Sequence, residues 1–146
     1  MTPSAPLRAG LGVLAAVLAV LTIHQGMVGL LHAIGWIPRG PYQLGPTGPL
    51  RVPILVNLCF WGGLYGLAYG LLLPCLPRAP AWLLGLGLGL VAVLVGWFVI
   101  APLRSQPMAG GFVPFRMMIS LIINLPWGVA TALILQGLLR WRAAAA

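Results

Sequence analysis

The sequence predicts an all-α integral membrane bundle of four transmembrane helices, and three observations carry that expectation. Hydrophobic residues make up 61% of the 146-residue chain, and its mean hydropathy is +1.06. Charged residues make up 5%, against about a quarter in a soluble domain that must present a wetted surface. All eight charges are arginines, and they divide the chain into long uncharged stretches.

Those stretches set the spans. Arg8 and Arg39 enclose thirty residues, Arg51 and Arg78 twenty-six, Arg78 and Arg104 twenty-five, and Arg116 and Arg140 twenty-three. A spanning helix needs roughly 20 apolar residues. The expected helices are therefore about Leu11–Gly35, Pro53–Leu73, Ala81–Ala101 and Pro114–Leu139, within one domain, residues 1–146. Pro53 and Pro114 suit helix starts, while Pro74, Pro77, Pro80 and Pro102 suit ends and turns. The first apolar run resembles a signal peptide, but it continues to Ile37 without a clear small-residue cleavage site, which predicts a retained helix.

The arginines fall four on each side. Arg8, Arg78, Arg140 and Arg142 share the side of the termini; Arg39, Arg51, Arg104 and Arg116 share the side of the two long loops. A count of positive residues alone sets no orientation. The short N-terminal tail and the compact Arg140-Trp141-Arg142 anchor point to both termini in the cytoplasm.

The chain has no Asp and no Glu. That removes paired-carboxylate catalysis, carboxylate-bound calcium or magnesium, and proton relays built on acids. It also leaves the arginines without side-chain counter-ions. Their partners must be helix C-termini, the C-terminal carboxylate, aromatic faces, another protein or lipid phosphates. A charge of +8 suits an anionic bilayer surface, so the expected partners are anionic membrane lipids. Nucleic acid is not expected, because no basic run or soluble domain presents the charge. Cys59 and Cys75 would sit about 24 Å apart on one helix, too far for a disulfide, and read as buried free thiols.

Small residues at a spacing of four mark packing seams, which lipid-embedded helices need in place of a hydrophobic drive. The second helix has Gly62, Gly66 and Gly70; the third has Ala81, Gly85 and Gly89; the fourth has Ser120, Asn124, Gly128, Ala132 and Gln136. The expectation is packing within one bundle, with a homo-oligomer or a larger membrane complex as the other use of such seams. The second and fourth helices also rhyme, NLCFWGG from Asn57 and NLPWG from Asn124, and each follows an Arg-flanked Gly/Pro loop. Two related hairpins, repeated in parallel about an axis along the membrane normal, would explain this.

Polar groups inside a membrane are costly, so their placement points to function. His24, Gln25, His32, Asn57, Ser120 and Asn124 all lie in the loop-side halves of their helices, beside the loop arginines. A shallow polar cavity opening on the loop side follows. Its expected ligand-binding residues are Arg39, Arg51, Arg104, Arg116, His24, His32, Asn57 and Asn124. Asn57, Trp61, Tyr65 and Tyr69 form a stripe that could line a groove or fill a core. Pro126 cannot donate to the Ile122 carbonyl and is expected to kink the fourth helix beside Asn124.

His24 and His32 are about 80° and 12 Å apart on one helix, which does not chelate a single ion. A haem or copper redox site would need one histidine with Met27, Met108, Met117 or Met118, and the ligand set is incomplete. No metal and no cofactor is expected. No nucleophile-base-orienter set is present either, since no acid can orient a histidine, and no enzyme is expected.

Trp61-Gly62-Gly63 through LLLPCLPRAP, the glycine-rich third helix, IAPL followed by Gly110-Gly111-Phe112, and the NLPWG helix together resemble uncharacterised small four-helix bacterial membrane proteins over roughly residues 53–139. The resemblance implies a bacterial inner membrane location and supplies no activity. Where such proteins would carry a histidine in the second and fourth helices, this chain has Asn57 and Asn124. The expected function is therefore a binding bundle, a carrier or accessory subunit for a lipid or a small anionic or apolar molecule. A redox protein and a structural partner subunit are the alternatives.

Overall fold

The computed structural model describes residues 3–145, so the C-terminal carboxylate lies outside the described residues. Four long helices follow one another: α1 (Ala5–Ala33), α2 (Ile54–Cys75), α3 (Ala81–Leu103) and α4 (Pro114–Ala144). Each is long and apolar enough to cross a membrane. The first loop carries a small antiparallel ribbon, β1 (Pro46–Thr47) with β2 (Val52–Pro53), in which Pro46 faces Pro53.

The helices outrun the expected spans. α1 starts at Ala5 rather than Leu11, so Arg8 lies inside it, and α4 continues past Leu139 through Arg140-Trp141-Arg142. An apolar-length argument measures hydrocarbon thickness, whereas helical hydrogen bonding continues beyond it, and alanine-rich ends favour that. α1 stops early, at Ala33, because Gly35 adopts φ 76°. The Gly35 N–H then donates to the His32 carbonyl and the Trp36 N–H to the Leu31 carbonyl, closing a Schellman turn. α2 begins where the first loop supplies acceptors: the Ile54 and Leu55 N–H groups donate to the carbonyls of Gly45 and Gln43 at 2.9 and 3.0 Å. These satisfy two of the donors that a helix start leaves open.

Glycine determines which helices pair. α1 packs along α2, and α3 along α4. Gly66 faces the Gly12 carbonyl and the Ala16 methyl of α1 so closely that a Cβ there would stand 2.5 Å from that methyl. Gly62 faces Val20, and Gly70 faces the Arg8 carbonyl. In the second pair, a Cβ on Gly85 would lie 2.6 Å from the Gly128 carbonyl oxygen, and one on Gly89 would lie 2.5 Å from that of Asn124. The seams are therefore consumed inside the chain, and the Gly62–Gly66–Gly70 face is not free for a partner. Arg8 adds a polar tie, donating from Nε to the Gly70 carbonyl at 3.3 Å near the end of α2.

The two pairs join through α1 and α4. Trp127 is buried there, and its indole N–H donates to the Ala16 carbonyl at 3.3 Å. At the loop end, Trp36 meets Phe115 edge-on at 5.6 Å. By contrast, α2 and α3 hardly touch. An exact two-fold repeat would make the α1–α4 and α3–α2 contacts equivalent, and here one is closed while the other is open. The hairpins do share an unanticipated device. The first helix of each contains a five-residue π segment, Val20–His24 in α1 and Gly96–Ile100 in α3. α4 runs as one helix across Pro126. Cys59 is half-buried and Cys75 exposed at the end of α2, both free, so only the first approaches the expected burial.

Candidate functional site

The gap between α2 and α3 widens at the loop side into a cavity of about 970 Å³. α2 contributes Asn57, Trp61, Tyr65 and Ala68 to its wall, each about one turn from the next. α3 contributes Ala92, Gly96, Trp97 and Ile100, and Arg104 follows just past its end. Behind the gap, α1 adds Val20 and His24, and α4 adds Arg116, Ser120, Asn124 and Trp127. Gln106, Pro107 and Gly110 of the second loop close one side. Trp61 and Leu64 are exposed at its edge, so the cavity opens sideways between α2 and α3.

Both π segments border this cavity, Val20 and His24 from the first, Gly96, Trp97 and Ile100 from the second. A π segment shifts the hydrogen-bond register by one residue and is often placed where a helix must bend its side chains towards a site. In α1 two side chains, one from the first loop and one from the helix itself, take up carbonyls at the shift. The Tyr42 hydroxyl donates to the Leu21 carbonyl at 2.9 Å, and the Thr22 hydroxyl donates to the Leu18 carbonyl at 2.7 Å.

A relay links the first loop to the cavity. The Tyr42 N–H donates to Oε1 of the buried Gln25 at 2.7 Å, which fixes the orientation of the amide. Its Nε2 then faces Nδ1 of His24 at 3.3 Å. An amide nitrogen only donates, so Nδ1 accepts and the ring carries its proton on Nε2. Gln25 is the residue that sequence reasoning counted as polar but did not assign. Its near-complete burial needed a partner, and that partner, Tyr42, comes from a loop the sequence could not place.

On α4 the polar groups turn inward upon their own helix. The Ser120 hydroxyl donates to the Arg116 carbonyl at 3.2 Å, and the Asn124 amide donates to the Ser120 carbonyl at 2.8 Å. Asn124 keeps its oxygen for the cavity. Asn57, Trp61, Tyr65, Trp97 and Arg104 make no side-chain hydrogen bond with another described residue. Arg116 makes a long one, 3.4 Å to the Gly110 carbonyl. Among the described residues no buried side-chain polar atom lacks a partner, so these unspent groups all retain access to solvent or ligand.

Of the residues expected to bind a ligand, His24, Asn57, Asn124, Arg104 and Arg116 line this cavity. Arg39, Arg51 and His32 do not. The first loop folds over the outer face of α1, where Tyr42 reaches Leu21 and Pro41 packs on Gly29, away from the α2–α3 gap. His32 is exposed on that same side, with Nδ1 3.1 Å from the Ile37 carbonyl and its ring against Gly40. The stripe on α2 also divides: Asn57, Trp61 and Tyr65 face the cavity, while Tyr69 is buried below it. None of Met27, Met108, Met117 and Met118 lines the cavity that His24 faces, so the histidine–methionine pairing considered from the sequence is not assembled there. Among the described residues no group of three or more His or Cys side chains gathers for a metal.

Fold and cavity together define a class: a helical bundle with four candidate membrane spans and a laterally open, arginine-bearing cleft. Compared with protein-family models, curated proteins and solved structures, the chain matches none of them.

Proposed function

We propose that this chain is a non-enzymatic bacterial inner membrane protein that binds an anionic amphiphile, a lipid carrying a phosphate, in the loop-side cavity. The observation supporting this is the placement of Arg104 and Arg116 at a cleft that opens towards lipid, in a chain without an Asp or Glu side chain to neutralise them. A volume of about 970 Å³ admits a headgroup and the upper part of its acyl chains. The two guanidinium groups would bind the phosphate. His24 Nε2–H and Asn57 would fix the headgroup, and the aromatic wall of Trp61, Tyr65 and Trp97 would take the chains.

Native mass spectrometry with added phosphatidylglycerol tests this reading. The double variant Arg104→Gln, Arg116→Gln should weaken retention by about 2 kcal/mol, roughly thirtyfold, at about 1 kcal/mol per arginine near a charged surface. The control Arg39→Gln, Arg51→Gln keeps the loop-side charge count equal to that of the double variant and should bind as the unsubstituted protein does. Equal loss in both would mean that net charge, not the cavity, holds the lipid.

Both termini are proposed to face the cytoplasm, which puts the cavity mouth at the outer leaflet. A C-terminal green fluorescent protein fusion should then fluoresce while an alkaline phosphatase fusion stays inactive. The reverse pattern inverts the orientation.

A further inference from the structure

A second cavity, of about 400 Å³, lies on the same α2–α3 seam at the side of the termini. Tyr69 of α2, Leu84 of α3, and Ala132, Gln136 and Arg140 of α4 line it. It mirrors the first in having an arginine at its edge and lipid-facing helices as its sides. The two approach each other closely. On α2 their linings are consecutive residues, Ala68 and Tyr69, about 1.5 Å apart along the axis. On α4 they are separated by the step from Trp127 to Ala132, about 7.5 Å, and on α3 by that from Ala92 to Leu84, about 12 Å. The hydrocarbon core of a bilayer is about 30 Å thick. The partition between the cavities is less than half of that on every helix.

The partition is thin, and the buried Thr131 hydroxyl within it donates to the Trp127 carbonyl at 2.9 Å. Leu88 sits midway on the α3 stripe and packs against both core clusters, one around Tyr69 and Ala132, the other around Trp127. Ile134 of α4, two residues past Ala132, also packs against both clusters. Because α2 and α3 hardly touch, the seam beside this partition is not sealed by helix packing.

We infer that the two cavities are the halves of one path, along which the phosphate headgroup of an anionic lipid moves between leaflets while its acyl chains stay in the bilayer through the open α2–α3 seam. This rests on the lipid-binding reading of the loop-side cavity. The chain contains no Asp or Glu for proton coupling and no Walker-type phosphate loop, so the movement is downhill equilibration. Arg104 and Arg116 receive the headgroup at one face and Arg140 at the other. Leu88 and Ile134 set the rate between them.

The test is transbilayer movement of acyl-labelled fluorescent phosphatidylglycerol in phosphatidylcholine vesicles holding the purified full chain, read by dithionite bleaching. Bleaching should pass the half that an inert vesicle allows. Leu88→Trp and, independently, Ile134→Trp should slow it at least tenfold, and Leu88→Ala should speed it. Phosphatidylglycerol retention by mass spectrometry should be unchanged in Leu88→Trp, which also shows that this variant is folded. Bleaching that stops at half for both the unsubstituted protein and Leu88→Ala, with retention intact, overturns the path and leaves the binding reading standing. Retention lost as well overturns both. Release of entrapped inorganic phosphate at a rate matching or exceeding lipid movement would make the free anion the cargo and overturn the lipid assignment.

Discussion

Gly66→Val should separate α1 from α2, and Gly89→Val should separate α3 from α4, each leaving little folded monomer. The obstacle in both places is main chain: the Gly12 carbonyl opposite Gly66, and the Asn124 carbonyl with the Leu125 Cα opposite Gly89. Overpacking a core usually costs about 1–3 kcal/mol, because side chains can shift. A neighbouring helix backbone yields only if the whole helix moves, so the expected cost lies at or above the upper end. In lipid, close packing is what holds helices together, so nothing else compensates. Size-exclusion chromatography of heated, detergent-solubilised protein reads the effect. Gly87→Ala is the contrasting variant. Nothing lies within 4 Å of a Cβ there, and removing a mid-helix glycine should hold stability or raise it by up to about 1 kcal/mol, read as an equal or higher melting temperature. If Gly66→Val and Gly87→Ala melt alike, the α1–α2 seam is not held by close approach.

Trp127→Ala should be the most damaging side-chain truncation in the bundle. Trp127 is 2% exposed, donates to α1 through Ala16, and meets Tyr65 of α2 edge-on with ring centroids 6.1 Å apart. It ties α4 to both helices of the other pair. Removing a buried tryptophan typically costs about 3–5 kcal/mol. The lower end applies here, since lipid offers the exposed surface an apolar solvent and only packing and the hydrogen bond are lost. Trp127→Phe separates the two contributions, keeping most of the ring and losing about 1 kcal/mol for the bond. The thermal ranking should be unsubstituted protein, then Trp127→Phe, then Trp127→Ala. A Phe variant as weak as the Ala variant would assign nearly all of the effect to the Ala16 hydrogen bond.

These two positions show what was legible in the sequence. Glycines at a spacing of four announce a seam, and Gly66 and Gly89 are indeed where backbones meet. Arginine spacing announces the four helices, because a charge inside hydrocarbon is costly and so marks the ends of a span. What periodicity does not carry is which faces meet. The rhyme between the Asn57 and Asn124 helices suggested equivalent hairpins and hence equivalent seams. Only three-dimensional packing shows Trp127 closing α1 against α4 while α2 and α3 stand apart.

The site divides in the same way. His24, Asn57 and Asn124 were legible because a polar group within a span needs a reason, and Arg104 and Arg116 because each lies within three residues of a helix end. Arg39, Arg51 and His32 were misplaced because a long loop has no periodicity to say which way it folds, and this one turns outward over α1 through Tyr42. The π segments left no signal either. A one-residue shift in hydrogen-bond register changes no side-chain chemistry, only the direction in which His24 and Trp97 point.

The open gap between α2 and α3 also changes what concentration means for this protein. A molecule that enters sideways never crosses water on its way in. Its supply is then its share of the surrounding leaflet, a mole fraction within a two-dimensional solvent, and its competitors are every other lipid in the same plane. Under the proposed lipid-binding reading, occupancy becomes a readout of membrane composition, set by what the bilayer is made of rather than by what the cell has dissolved.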